Sequence, residues 1–123
     1  MLSSIVKREK RRGFTLVELM IVIAIIAILV ALAVPSMTKY RTRGFNTSAR
    51  EDLKNSFPAA QGYFLDNPNG TLNTENLTSY GYIATDGVVI TINDSTMLGL
   101  EMTAAHQNGD ITYTMDSSGN ISP

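Results

Sequence analysis

Few residues of this chain are of the types that do chemistry, and one of those few stands in an unusual place. Glu18 lies inside an apolar stretch, with Phe14, Leu16 and Val17 before it and the unbroken 16-residue apolar run Leu19 to Val34 after it. A lone carboxylate facing hydrocarbon costs a few kcal/mol unless it is neutralised, paired or close to headgroups. Two readings stay open: Glu18 marks the interface at the start of a helix, or it waits for a cationic partner. The remaining candidates are weaker. With no cysteine there is no disulfide framework, thiolate metal site or thiol nucleophile, and the single histidine, His106, cannot build a histidine cluster. No acid and nucleophile are placed beside His106 by spacing, so it reads as a surface residue next to Asn108-Gly109. The run Asp116-Ser117-Ser118-Gly119-Asn120 lacks the spacing and closing glutamate of an EF-hand. Asn-x-Ser/Thr sequons at Asn46, Asn69, Asn76, Asn93 and Asn120 follow from an Asn- and Thr-rich composition. No catalytic set, cofactor or metal site is expected.

The elements that must position Glu18 are plain in the hydropathy. Residues 14–34 are 21 long, and as a helix at ~1.5 Å per residue they reach about 31 Å, close to a bilayer hydrocarbon core. The apolar run leaves no polar face, so it is to be buried all round. A secretory signal peptide is disfavoured, because the apolar region is too long and ends in Val34-Pro35-Ser36 without a small-residue cleavage pattern. The net charge of −1 conceals a division: residues 1–13 carry +4 and the rest −5. The basic end favours a cytoplasmic N-terminus, though Lys39, Arg41 and Arg43 flank the other side and weaken the bias.

Beyond Pro35, which is expected to loosen or break the helix, the period changes. Met37, Tyr40, Phe45, Ala49, Leu53, Phe57, Ala60 and Phe64 form one apolar stripe at helical spacing, opposite Lys39, Arg41, Arg43, Arg50, Glu51, Asp52 and Lys54. Pro58 is expected to bend or end this helix near residues 54–57. Asn67-Pro68-Asn69-Gly70 is a breaker, followed by a polar connecting loop to residue 87 whose Leu72, Leu77, Tyr80, Tyr82 and Ile83 are candidate core contacts. Strands are expected over residues 88–93, 98–105 and 111–116, the last two joined at an Asn-Gly hairpin. Leu98, Leu100, Met102 and Ala104 would share the dry face. The fold class is α+β, a long N-terminal hydrophobic helix packed at its C-terminal half on a small antiparallel sheet.

Arg12-Gly13-Phe14-Thr15-Leu16-Val17-Glu18-Leu19, the apolar run, Pro35 and Tyr40 resemble the N-terminal signature of type IV prepilins and of the related pseudopilins of type II secretion. The resemblance covers roughly residues 7–54. It implies a basic leader, residues 1–13, cut between Gly13 and Phe14 by a prepilin peptidase that then methylates the Phe14 amine. It implies that Glu18 pairs with the Phe14 amine of a neighbouring subunit and that the stretch at Pro35 opens in the filament. The resulting partition is 14–34 membrane or filament-core helix, 35–66 amphipathic helix, 67–87 connecting loop and 88–123 β head.

The implied role is that of a structural, non-enzymatic subunit, held as a single-pass inner-membrane protein and polymerised by a pilus assembly platform into an extracellular homo-oligomeric filament for motility, adhesion or surface attachment. The alternatives are a pseudopilin forming a periplasmic piston, or a membrane-anchored binding module that never polymerises. The acids could bind calcium as in the similar major pseudopilins, although the 116–120 run is not spaced as an EF-hand. Conduction, proposed for some similar pilins, is not needed to explain Tyr40, Phe45, Phe57, Tyr63 and Phe64, which a core stripe accounts for. The cysteine pair of many pilins is absent. No Lys or Arg follows Lys54, so the C-terminal part carries −7 while 39–54 holds five bases. That asymmetry disfavours nucleic acid as a specific partner of the head and suits basic-to-acidic contacts between stacked subunits.

Overall fold

The computed structural model describes residues 13–123; the expected leader lies, but for Gly13, outside the described residues. The chain divides into two units, one ending at Thr38 and a head of residues 39–123. A single helix, α1 (Leu16–Asp66), contributes to both. After it come α2 (Thr74–Ser79) and strands β1 (Val88–Asp94), β2 (Glu101–His106), β3 (Thr112–Met115) and β4 (Ile121–Ser122). The strands form one antiparallel meander in the order β1-β2-β3-β4, with Ile92 opposite Met102 and Met102 opposite Met115.

In the head, the stripe from Phe45 onward faces the sheet as its spacing requires. Ala49, Leu53, Ala60 and Phe64 join Met102, Ala104 and Met115 in one core, with Leu72, Leu77 and Tyr82 closing one side. Leu53, Leu77, Met102 and Met115 are the largest fully buried side chains; removing each from water contributes about 1.5 to 3 kcal/mol. β2 alternates with period two, Met102, Ala104 and His106 inward and Glu101, Thr103 and Ala105 outward. β1, an edge strand, alternates too, but its inward residues are only half-buried.

Several expectations need correction. Helical structure continues without interruption through both Pro35 and Pro58 to Asp66. Pro58 cannot donate to the Lys54 carbonyl, but Ala59, Ala60, Tyr63 and Phe64 are all buried just beyond it, and packing of that turn outweighs a helix-interior proline penalty of about 3 kcal/mol. The connecting loop contains a helical turn, α2, capped by the Asn73 side chain accepting from the Asn76 N–H at 2.8 Å. Leu98 is not in a strand: the β1–β2 connection consumes residues 95–100, and Leu98 is 85% exposed. Ile83 is equally exposed, whereas Leu72, Leu77 and Tyr82 are buried as expected. A fourth strand, β4, pairs Met115 with Ile121; two residues are too short to show any period.

Candidate assembly site

At the start of α1 the sequence Thr15-x-x-Glu18 places a hydroxyl and a carboxylate three residues apart, the spacing of a capping box. The Glu18 N–H donates to Thr15 Oγ1 at 3.1 Å, and the Thr15 hydroxyl donates to Glu18 Oε1 at 3.2 Å. Thr15 thus satisfies one of the unpaired amide groups of the first turn, and the Glu18 charge sits where the helix dipole favours an anion. Glu18 is otherwise exposed, two turns or less from Gly13 and Phe14, and Gly13 has a positive φ of 103°. Gly13, Phe14 and the candidate anion are therefore gathered at one end of one helix.

From Phe14 to Val34 every large apolar side chain is about half exposed or more. Among the described residues, α1 is the one helix long and apolar enough to cross a membrane, with a mean hydropathy of 3.1 in its apolar window and none of that window buried. Among the described residues nothing covers it. A contiguous apolar surface of this size marks a face suited to contact with protein or membrane.

The head is joined to α1 by polar side chains that hydropathy alone does not single out. Asp52, assigned by the helical wheel to the wet face, is 3% exposed. Its Oδ2 accepts from the Tyr82 hydroxyl at 3.0 Å and the Thr85 N–H at 2.7 Å, and its Oδ1 from the Thr85 hydroxyl at 2.6 Å. Burial, reinforced by the neighbouring Asp52 carboxylate, pushes the Tyr82 hydroxyl well above the ordinary tyrosine range. Two further tyrosines pin the same connection: Tyr63 donates to the Thr71 carbonyl at 2.9 Å, and Tyr80 to Asp66 Oδ2 at 2.8 Å. The half-exposed Tyr80 also meets the Tyr63 ring edge-on.

Asn46 does for the β2–β3 connection what Asp52 does for the loop. Its Nδ2 donates to Asp110 Oδ1 at 2.7 Å, and its Oδ1 accepts the Asp110 and Ile111 N–H groups at 3.0 and 3.2 Å. The Asn-Gly dipeptide does not form a two-residue hairpin: five residues separate β2 from β3, and Gly109 is not among the positive-φ glycines. Glycine is needed there because a Cβ would strike Asn46 Oδ1. His106 is a second correction, being 9% exposed rather than on the surface. Its ring stacks on Phe45 with centroids 4.3 Å apart, and its Nδ1 accepts the Asn108 N–H at 2.9 Å. Asn46, Asp52 and the role of His106 are what sequence reasoning missed; the one available signal was Asn46 and Asp52 lying beside Phe45, Ala49 and Leu53 at helical spacing.

Comparison with known proteins bears on both units. The family described as the prokaryotic N-terminal methylation motif matches residues 8–34. Fimbrial protein EcpC of Eikenella corrodens is 36% identical over 112 residues, which is 91% of this chain and 67% of that protein. The type IV wide pilus major component PilA4 of Thermus thermophilus is 35% identical over 103 residues, 83% of this chain and 79% of its own. The chain belongs to the type IV pilin family. Likeness to the type II secretion system core protein G of Pseudomonas aeruginosa is shorter, 39% identity over 61 residues and half of this chain. The pilin likeness continues into the head, where the Asn46 and Asp52 contacts lie.

Proposed function

We propose that this pilin is a structural subunit of a type IV pilus, made with a leader that is cut between Gly13 and Phe14, stored across the inner membrane and then polymerised into an extracellular filament. The observation that supports this is the pairing of an uncovered apolar stem with likeness to pilus proteins over most of the chain, head included. Lipid and a core of bundled stems are both free of water, so a subunit leaves the first for the second with little change in apolar exposure. Pro35, within the helix of this chain, is the point at which we expect the stem to open in the filament, since no N–H is available there to hold the turn.

Cutting before Phe14 creates an α-amine beside the first turn, and a filament core would remove that cation from water. Glu18 is the acid in reach of such a head group, and we assign it to the methylated Phe14 amine of a neighbouring subunit. Thr15, by donating to Oε1, holds the carboxylate at the helix end while leaving Oε2 for the amine. Removing one partner of a buried pair costs about 3 to 5 kcal/mol, so the pair sets register more than it adds net stability. The peptidase and the assembly platform are the partners this scheme requires.

The test is the intact mass of the chain sheared from the surface of producing cells, compared with the mass in their membranes. A sheared species beginning at Phe14 with one added methyl supports the pilus. The same cut chain confined to membranes favours the pseudopilin, towards which the shorter likeness to core protein G points, and a chain beginning at Met1 refutes the processing scheme.

A further inference from the structure

Where the distal end of α1 meets the β1–β2 connection, the head carries an apolar cleft of about 420 Å³, open to solvent, lined by Phe57, Phe64, Leu65, Met97 and Leu100 together with the polar Gln61 and Ser117. The groove adjoins a second shallow one that shares Met97 and adds Leu98. Two carboxylates are chain neighbours of lining residues, Asp66 after Leu65 and Asp116 before Ser117, and a third, Asp94, lies three residues before Met97. Asp94 is held below the usual carboxylate range by hydrogen bonds from the Thr96 N–H and hydroxyl, and Asp116 by backbone N–H groups of Asn120 and Ser118. Asp94 and Asp116 therefore keep their charge to lower pH than an ordinary carboxylate does. No cation of the head itself lies on this side of Lys54 in sequence.

The complementary chemistry is on the same chain at the other end of the head. Tyr40, assigned by spacing to the buried stripe, is instead 66% exposed. Arg43 lies over its ring at 5.7 Å, and Lys39 and Arg41 flank it, both exposed. An aromatic ring backed by arginine is the composition of an interface anchor. Tyr40 and Gln61 are 21 residues apart on α1, about 32 Å at ~1.5 Å per residue, so one molecule cannot fold the first onto the second.

We propose that the cleft is the socket for the Tyr40–Arg43 knob of a second copy of this chain, with the Tyr40 ring on its apolar floor and Lys39, Arg41 and Arg43 facing Asp66, Asp94 and Asp116. Joining two different surfaces in this way is a heterologous contact, which repeats from subunit to subunit and suits a filament where the rotation does not close a ring. Oppositely charged rims orient the docking and penalise other staggers. This contact rests on the filament reading above.

The parent chain has no cysteine, so paired cysteines report only the contact engineered. Full-length Arg41→Cys/Gln61→Cys is produced in pilus-forming cells, and the sheared fraction is treated with a short bis-maleimide and run under denaturing conditions. A ladder of covalent multimers is expected from the double variant and none from either single variant; intact filaments that give no ladder overturn the socket. A charge exchange provides the second readout. Arg43→Glu is expected to lower the sheared yield, and Ser117→Arg, which restores opposite charges across the edge, is expected to recover most of it; equal yield from all three overturns the pairing. If the parent chain itself never enters the sheared fraction, the filament reading fails, and this contact with it, whereas filaments of the parent without a ladder from the variant condemn the socket alone.

Discussion

Asp52 and Tyr82 show how much of this pilin's head depends on single polar side chains. Three donors converge on one buried carboxylate, and Asp52→Ala would leave them unpaired in the interior. A loss of about 3 kcal/mol is expected, measurable as a lowered midpoint when the detergent-solubilised chain is melted under near-ultraviolet circular dichroism. Tyr82 adds a pH dependence with a definite sign. Its hydroxyl is raised in the folded state, so its contribution is fully present below the unfolded tyrosine value of about 10 and is lost as pH rises above it. Melting the chain between pH 8 and 11 should show this alkaline decline, and Tyr82→Phe should flatten it while costing about 1 kcal/mol at neutral pH. Glu18→Ala is expected to be processed normally yet to give few sheared filaments. Normal yield would remove the case for pairing with the Phe14 amine.

At the scale of elements, α1 holds the head together by side chains on two of its faces. The apolar stripe packs on β2 and β3, and Asn46 and Asp52 reach the connections on either side. Gly109→Ala tests that arrangement, because its new Cβ must push the Asn46 amide off Asp110 and Ile111. A cost of about 1 to 3 kcal/mol is expected, the range for a buried polar group left unsatisfied, with the loss confined by amide exchange to residues 107–111. Pro58 makes the opposite point. A helix breaker in the interior of α1 is tolerated because the following turn is buried by the sheet, so Pro58→Ala is expected to stabilise the head rather than weaken it, as a higher melting midpoint would record.

On the scale of the whole molecule, charge separates what the stem does from what the head surfaces do. Apolar stems gathered away from water are insensitive to ionic strength, whereas a basic segment at 39–43 facing an acidic rim is screened, the Debye length falling from about 10 Å at 0.1 M to 3 Å at 1 M. Filaments moved to 1 M salt should therefore stay assembled but lose cross-linking between Arg41→Cys and Gln61→Cys, seen as a shortened ladder beside unchanged sedimentation. The stem and its family were legible because they rest on local, contiguous signals: a 16-residue apolar run, an acid directly before it, and the Gly13-Phe14 junction. Most of the head's core was legible too, since Ala49, Leu53, Met102 and Ala104 obey simple periods.

Residues 14–34 owe their character to composition alone, because a segment apolar on every face behaves alike whatever its neighbours. The α+β class and the dry face of β2 were likewise determined by the order and period of apolar residues. Tertiary structure alone decided that Asp52, Asn46 and His106 are interior while Tyr40, Ile83 and Leu98 are not. A polar side chain is buried only where partners distant in sequence converge on it, 33 residues away for Thr85 on Asp52 and 64 for Asp110 on Asn46, and no local period carries that information. The continuation of α1 past Pro58 had the same cause. A missing hydrogen bond is local, and the packing that outweighs it is not.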